Sequence, residues 1–415
     1  MEGLVVVVQA ASRAWSGAPD WCLNEVDGRP VVALTVARVL EHFPGAAVRV
    51  AAPAFDAGGR LDDLPALFPG ADLGVVYGHD ASPLRRMLAV LSGRPEDALC
   101  LRIDGLHFGW RPDHAALMLA RARELGLDCV KMPDDYPVQL TADVYRHGAL
   151  RRALALLEGH GQAALYHVHP KFFMLAHPEA FACLRLADAP PVPDDWLRRC
   201  RDIARDVYTE GRMRVAEGGQ AGSRIAAGDQ LTFHYELALE HVSASDVVLD
   251  VACGPGYGSR MLAGRAGRVF GADLDAAVAA WARRPGDPPN LGFLAADVTA
   301  LPLADACLDM VTSFETLEHV EPDPYFRELR RTLRPGGLLA LSTPQNRLGH
   351  IPVNAQHRRE YSLDELLALV RPHFAVEAVI GVKQGRIVFP GDPFGQNTML
   401  LCRRPAPEAV ESRKP

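Results

Sequence analysis

The chain has 415 residues, 48% of them hydrophobic, and a formal net charge of −7. This length and apolar content allow two domains with separate cores, and the acidic balance argues against a nucleic-acid or anionic-membrane partner, which would favour a basic face. The eight cysteines include no C-x-x-C pair, and no apolar run is long enough to span a bilayer, so the expectation is a reduced, cytoplasmic protein with no integral membrane segment.

Leu4–Val8 opens the chain as a buried strand, without the basic start and small-residue cleavage site of a secretory signal. Strands follow near Ala47–Ala52, Leu73–Val76 and Ala98–Ile103, with helical stretches such as Val31–His42 and His114–Glu124 between them. That is the βα alternation of a mostly parallel sheet, expected over residues 1–185. The run Ala189-Pro-Pro-Val-Pro193 then breaks regular structure. Asp194 and Asp195 are placed to cap a helix from Trp196 to about Glu210. Glu217-Gly-Gly-Gln-Ala-Gly-Ser223 reads as a flexible joint, so residues 186–228 are a linker carrying a helix. A helix near Leu231–His241 leads into a second α/β domain over residues 229–404, and residues 405–415 read as a disordered tail.

The most informative stretch is Val247-Val-Leu-Asp250-Val-Ala-Cys-Gly254-Pro-Gly256-Tyr-Gly258, an apolar strand running into a glycine-rich turn and a helix. Such a turn lets the backbone approach a nucleotide-like ligand, because no side chain intervenes. Asp273 ends a second short strand, Asp297 a third, a fourth leads into Ser313-Phe-Glu-Thr-Leu-Glu-His-Val, and Leu333-Arg-Pro-Gly-Gly supplies a turn and a fifth. A nicotinamide dinucleotide fold competes for the same glycines and the same ribose acid, but the Gly-Tyr-Gly-Ser spacing counts against it, as do Asp297-Val298 and two late strands, Val376–Val382 and Asn397–Cys402, through their resemblance to methyltransferases. The order from about Gly228 to Arg404 resembles the class I S-adenosylmethionine (SAM) methyltransferases. The resemblance implies that Asp250 accepts from the ligand's ammonium group, directly or through water, and that Gly254, Gly256 and Gly258 let the backbone wrap its methionine part. It also implies that Asp273 takes the ribose hydroxyls, that Asp297 and Val298 take the adenine, and that Ala252, Leu274 and Ser313 complete the cofactor site.

Glu315-x-x-Glu318-His319 sits just beyond the fourth strand. If Glu315 opens a helix, the three side chains lie on one face, and two carboxylates with an imidazole suit Mg, Mn, Fe or Zn. The same pattern occurs in metal-dependent 2′-O-methyltransferases of small RNAs and in ubiquinone-pathway O-methyltransferases. In the RNA family a histidine after the fifth strand is a further ligand, which makes His357 the candidate here and His350 a weaker one. Without a metal, His319 or His357 could serve as general base, with Glu318 beside them on the acceptor side.

In the first domain, Val5-Val-Val-Val-Gln9-Ala10, Asp27-Gly28-Arg29-Pro30-Val31, Leu101-Arg102-Ile-Asp-Gly105, Tyr136-Pro137 and Asp143-Val-Tyr145 resemble the cytidylyltransferases of the spore-coat-polysaccharide and acylneuraminate type. Nucleotidyl transfer needs cations around the triphosphate and carboxylates for Mg²⁺. Ala11 and Asp20 stand where that family has an arginine and a lysine, and Leu106 where it has the metal aspartate, so the domain reads as a frame that has lost its catalysis. Asp104 and Asp143 remain near the metal position, and Arg13 is the loop's one cation.

The expectation is a two-domain α/β protein, a nucleotidyltransferase-like sheet followed by a Rossmann-like SAM methyltransferase. Its acceptor is expected to be a sugar hydroxyl of a polysaccharide, glycolipid or glycosylated natural product, free or nucleotide-linked. A bifunctional nucleotidyltransferase/methyltransferase, an RNA 2′-O-methyltransferase and a non-catalytic SAM- or glycan-binding scaffold are the alternatives.

Overall fold

The computed structural model describes residues 4–13, 21–208 and 232–406. The expected joint at 217–223 and all but residues 405 and 406 of the expected tail lie outside them. The chain divides into two compact units, Met1–Thr209 with Val353–Ala355, and Glu210–Pro352 with Gln356–Pro415. Among the described residues no helix is long and apolar enough to cross a membrane.

In the first unit, β1 (Val5–Gln9), β2 (Ala47–Pro53), β3 (Leu73–Gly78), β4 (Leu99–Asp104), β5 (Cys129–Lys131), β6 (Asp143–Arg146) and β7 (Cys183–Arg185) form one sheet in the order β3-β2-β1-β4-β6-β5-β7. The β3-β2-β1-β4 half is parallel. β6 runs antiparallel to both β4 and β5, and β7 is parallel to β5, so the sheet is mostly parallel with one reversed strand. β1 is buried at every position, which explains its uninterrupted valines. The helix Asp194–Val207 starts two residues before the expected Trp196 and stops three before Glu210. Its N-cap is Pro193, and Asp194 and Asp195 lie inside the first turn, where they complement the macrodipole. This helix buries Leu197, Cys200, Ala204 and Val207, and Trp196 Nε1 donates to the Gly109 carbonyl at 3.0 Å. The first unit therefore continues past the expected boundary at 185, because the helix assigned to the linker has an apolar face of its own.

In the second unit, β8 (Val247–Val251), β9 (Arg268–Asp273), β10 (Leu291–Ala295), β11 (Leu308–Phe314), β12 (Leu333–Pro344), β13 (Ala375–Val382) and β14 (Asn397–Arg403) form a second sheet, β10-β9-β8-β11-β12-β14-β13. Five strands are parallel, and β14 is antiparallel to β12 and β13. Alternate residues of one strand enter different cores. Leu249, Leu339 and Leu341 pack with Tyr325, Phe326 and Leu366 on one face, while Val248, Leu338 and Ala340 pack with Tyr235, Ala238 and Leu262 on the other. Helices thus cover both faces. The strand order reverses between β8 and β11, and in open α/β sheets the crevice beyond the carboxyl ends at such a point is where ligands bind.

Candidate functional site

The carboxyl end of β8 runs into a tight loop. Ala252, Gly254 and Gly256 have φ of 51°, 50° and 74°, the left-handed region that favours glycine. A Cβ on Gly256 would stand 2.6 Å from the Phe293 ring, whereas around Gly254 the space is open. Gly258 also has a packing role: a Cβ there would lie 1.9 Å from the Tyr235 ring, so this glycine lets two helices approach. Cys253 is buried, and burial pushes its thiol far up, which makes it a packing residue.

Asp273 closes the loop from the next strand. Its Oδ2 accepts from Gly254 N and its Oδ1 from Asp275 N, both at 3.0 Å. Leu274, beside it, is 75% exposed, an apolar side chain left uncovered at the edge of the crevice. Asp297 lies two residues beyond β10, is exposed, and accepts from the backbone and hydroxyl of Thr299 at 2.8 and 2.7 Å. Those bonds hold its carboxyl below the usual range. Val298 is half-buried against the core.

Two expected cofactor contacts are placed differently. Asp250 is fully buried and accepts from Tyr235, Ser259 and Thr312, the last two at 2.6 and 2.8 Å. It anchors the loop from below and does not face the crevice. The Ser313 hydroxyl is also buried, accepting from Tyr325 at 2.7 Å inside the core. Alternation along β8 and β11 turns both side chains inward.

Beyond β11 the expected helix does not form at Glu315. That residue has φ of 51°, and only a short 3₁₀ turn, Leu317–His319, follows. Glu315, Glu318 and His319 therefore do not share a helix face. Glu315 opens onto the crevice, accepting from Ser342 at 2.9 Å and Asn397 at 2.6 Å. The protein packed around it pushes its carboxyl above the usual range. Glu318 is 1% exposed. Its Oε2 accepts from Thr343 at 2.9 Å, while its buried Oε1 has no hydrogen-bond partner and lies 4.0 Å from His319 Nε2. Burial, and then the nearby Glu315, holds its carboxyl well above the usual range. One ligand-capable atom from each of Glu318, His319 and His357 falls within 4.8 Å of the others, and Glu315 is outside this group. His350 is exposed and is also outside it.

The sequence reading missed what holds the two imidazoles. His319 Nδ1 donates to the Gln356 carbonyl at 3.3 Å, and His357 Nδ1 to Glu360 Oε1 at 2.6 Å. Glu360 Oε2 accepts in turn from Asn346 at 2.7 Å. A neutral imidazole that donates from Nδ1 has its lone pair on Nε2. The His357–Glu360 spacing of three was the available signal.

In the first unit the two acids near the expected metal position do come together, but around protein cations. Arg102 donates to Asp104 at 2.9 Å and reaches Asp143 at 3.5 Å, and Lys171 sits 3.0 Å from both oxygens of Asp143. Although Asp143 is buried, Lys171 and Arg102 hold its carboxyl below the usual range. Two fixed cations already neutralise two carboxylates, so these residues do not fit a resident divalent ion. Asp20 lies outside the described residues.

Taken together, the strand order with its reversed β14, the glycine turn after β8 and the acid after β9 define the second unit as a class I SAM-dependent methyltransferase domain. Residues 249–341 match the family model described as a methyltransferase domain. The chain is 38% identical over 154 residues to a probable SAM-dependent methyltransferase of Mycolicibacterium smegmatis, covering 35% of this chain and 59% of that protein. It is 37% identical over 142 residues to another from Mycobacterium tuberculosis, covering 33% and 50%. The chain thus spans between half and three-fifths of the length of these curated relatives. A solved SAM-dependent methyltransferase of Mesorhizobium loti is 22% identical, with 42% of this chain and all of that chain covered and a TM-score of 0.36.

Proposed function

We propose that the chain transfers the SAM methyl group to a hydroxyl oxygen on a sugar of a polysaccharide, glycolipid or glycosylated natural product, in the cytoplasm. The observation that carries this reading is the Glu318–His319–His357 group at the carboxyl edge of β11 and β12, the same edge as the glycine loop after β8. The loop residues Ala252, Gly254 and Gly256, with Asp273, Leu274, Asp297 and Val298, fit SAM. The open space around Gly254 admits its methionine part, and the uncovered Leu274 offers an apolar face to its adenine.

When bound, SAM supplies an electrophilic methyl carbon with a neutral thioether as leaving group. The protein must align the acceptor oxygen with that carbon and remove its proton. A neutral His319 or His357, lone pair on Nε2, is suited to taking that proton. One carboxylate oxygen of Glu318 and one ring nitrogen from each of His319 and His357 also make a donor set that fits a divalent cation of the Mg, Mn, Fe or Zn group, which when bound would lower the pKa of the acceptor hydroxyl. We read the first unit as a nucleotidyltransferase-like frame serving binding or support. Its Arg102–Asp143–Lys171 arrangement counts against a bifunctional enzyme.

The test is to incubate the full chain with methyl-labelled SAM and polysaccharide and lipid fractions of cells lacking it. Label recovered as an O-methyl sugar after acid hydrolysis is the expected result. Label found only in protein or RNA would sink the sugar assignment.

A further inference from the structure

A cavity of about 590 Å³ is lined by residues that adjoin the Glu318–His319–His357 group along the chain. It is built by the segments that follow those residues, Val320–Pro322 and Arg358–Tyr361, and by the helix Leu363–Val370. The Arg358 amide donates to the Glu318 carbonyl at 2.9 Å, so the cavity wall and the acid–imidazole group share backbone. Its volume is in the range of small-molecule sites.

The chemistry of the lining narrows the occupant. Val320, Pro322, Ala368 and Leu369 give it an apolar surface. Its charges cancel in pairs, Arg358 with Glu321 and Arg359 with Glu365. Arg359 also lies over the Tyr361 ring, 5.7 Å from its centroid. Both guanidinium groups are thus already matched by carboxylates, so the lining does not select a phosphate or a cationic group. An apolar surface with a neutral polar border fits an uncharged amphiphile.

We infer that this cavity takes the apolar body of an acceptor whose sugar lies at the imidazoles, so that the substrate class is a sugar carried on a hydrophobic aglycone rather than a bare polysaccharide. The inference rests on the sugar-methyltransferase reading and selects within it. A bare glycan would leave the apolar lining wet, whereas a chain or ring attached to the sugar would bury it.

The test titrates three probes into the full chain saturated with S-adenosylhomocysteine: methyl β-D-glucopyranoside, hexyl β-D-glucopyranoside and 1-hexanol. Burying even part of the extra five methylenes should tighten hexyl over methyl glucoside by about tenfold or more. That gain should vanish in Ala368→Asp, which places a charge in the cavity at an exposed helix position. Ala368→Trp, which fills the cavity without adding charge, should also remove it. Equal affinities for the two glucosides, a gain that survives both substitutions, or no binding of any probe would each overturn the inference. Binding of hexanol alone, lost in Ala368→Asp, would support the apolar cavity and remove the sugar from the proposed function. SAM titrated separately reports on the transferase reading itself.

Discussion

The Tyr235 hydroxyl donates to both oxygens of Asp250, at 3.1 and 3.3 Å, from the helix Phe233–Leu239 that precedes β8. Ser259 reaches the same carboxylate from the helix after the glycine loop, and Thr312 from the neighbouring strand β11. One buried acid therefore ties together the three elements that set the loop's shape. The acid at the end of the first strand is thus a structural anchor of the loop.

This anchor fixes a pH dependence. Burial pushes the Asp250 carboxyl up to about 6, against the hydrogen bonds of Ser259, Thr312 and Tyr235. In an unfolded chain an aspartate titrates near ~3.9. Between the two values the folded chain holds a proton that the unfolded chain has released. Stability therefore falls as pH rises through that window and is level above about 6, a change of ~3 kcal/mol at most. Asp250→Asn removes this titration. Urea midpoints measured from about pH 4 to about pH 7 should drop more for the wild type than for the variant. Parallel curves would show that Asp250 does not titrate in that range.

The packing of Gly258 against Tyr235 gives a second expectation. Gly258→Ala places a methyl carbon inside the ring and should cost about 1–3 kcal/mol through overpacking. Tyr235→Leu makes room but loses the bond to Asp250. The two changes together should therefore cost less than their sum, with a coupling of about 1 kcal/mol or more by denaturant unfolding. Strict additivity would mean that the helices do not meet through these residues.

The first strands of the second sheet were legible because they are short apolar runs closed by glycine turns or acids, whereas β13 and β14 were marked by their resemblance to the closing antiparallel hairpin of the methyltransferases. Asp273 was legible as one of those acids. Asp250 and Ser313 were not, because inward or outward orientation depends on which partners lie beneath the strand, and Tyr235 and Tyr325 come from distant helices. The helix at Glu315 was misread because spacing carries no information about a left-handed residue, which here ends the strand in a turn. In the first unit the acids were visible, but the cations that occupy them were not. Arg102 gained significance only through its register with Asp143 across β4 and β6, and Lys171 comes from the helix Pro170–Ala176.

Asp273 should dominate cofactor affinity. Asp273→Ala removes both the expected acceptor for the ribose and the partner of the Gly254 amide, so SAM affinity should fall by about a hundredfold or more. Asp273→Asn keeps one acceptor oxygen and should lie between. Leu274→Ser loses only apolar cover and should cost about tenfold. Calorimetry on the three variants orders them, and a larger effect at Leu274 than at Asp273 would reverse the assignment of the crevice.

Glu318 separates binding from chemistry. Its carboxylate contacts no part of the glycine loop among the described bonds; it faces Thr343 and the two imidazoles. Glu318→Ala should leave SAM affinity within about twofold while lowering methyl transfer by about a hundredfold or more. Glu318→Gln is the informative companion, since it keeps the Thr343 contact and the cavity shape but replaces the orphaned oxygen or its partner with an amide. If a divalent cation is held here, the wild type should bind about one equivalent of Mn²⁺ or Zn²⁺ after exhaustive chelation, and both variants should bind it at least about tenfold more weakly. Equal metal affinity in the wild type and Glu318→Gln would remove the cation from the reading and leave His319 and His357 as the groups that accept the proton. Unchanged turnover in Glu318→Ala would remove the acceptor site from this end of β11 altogether.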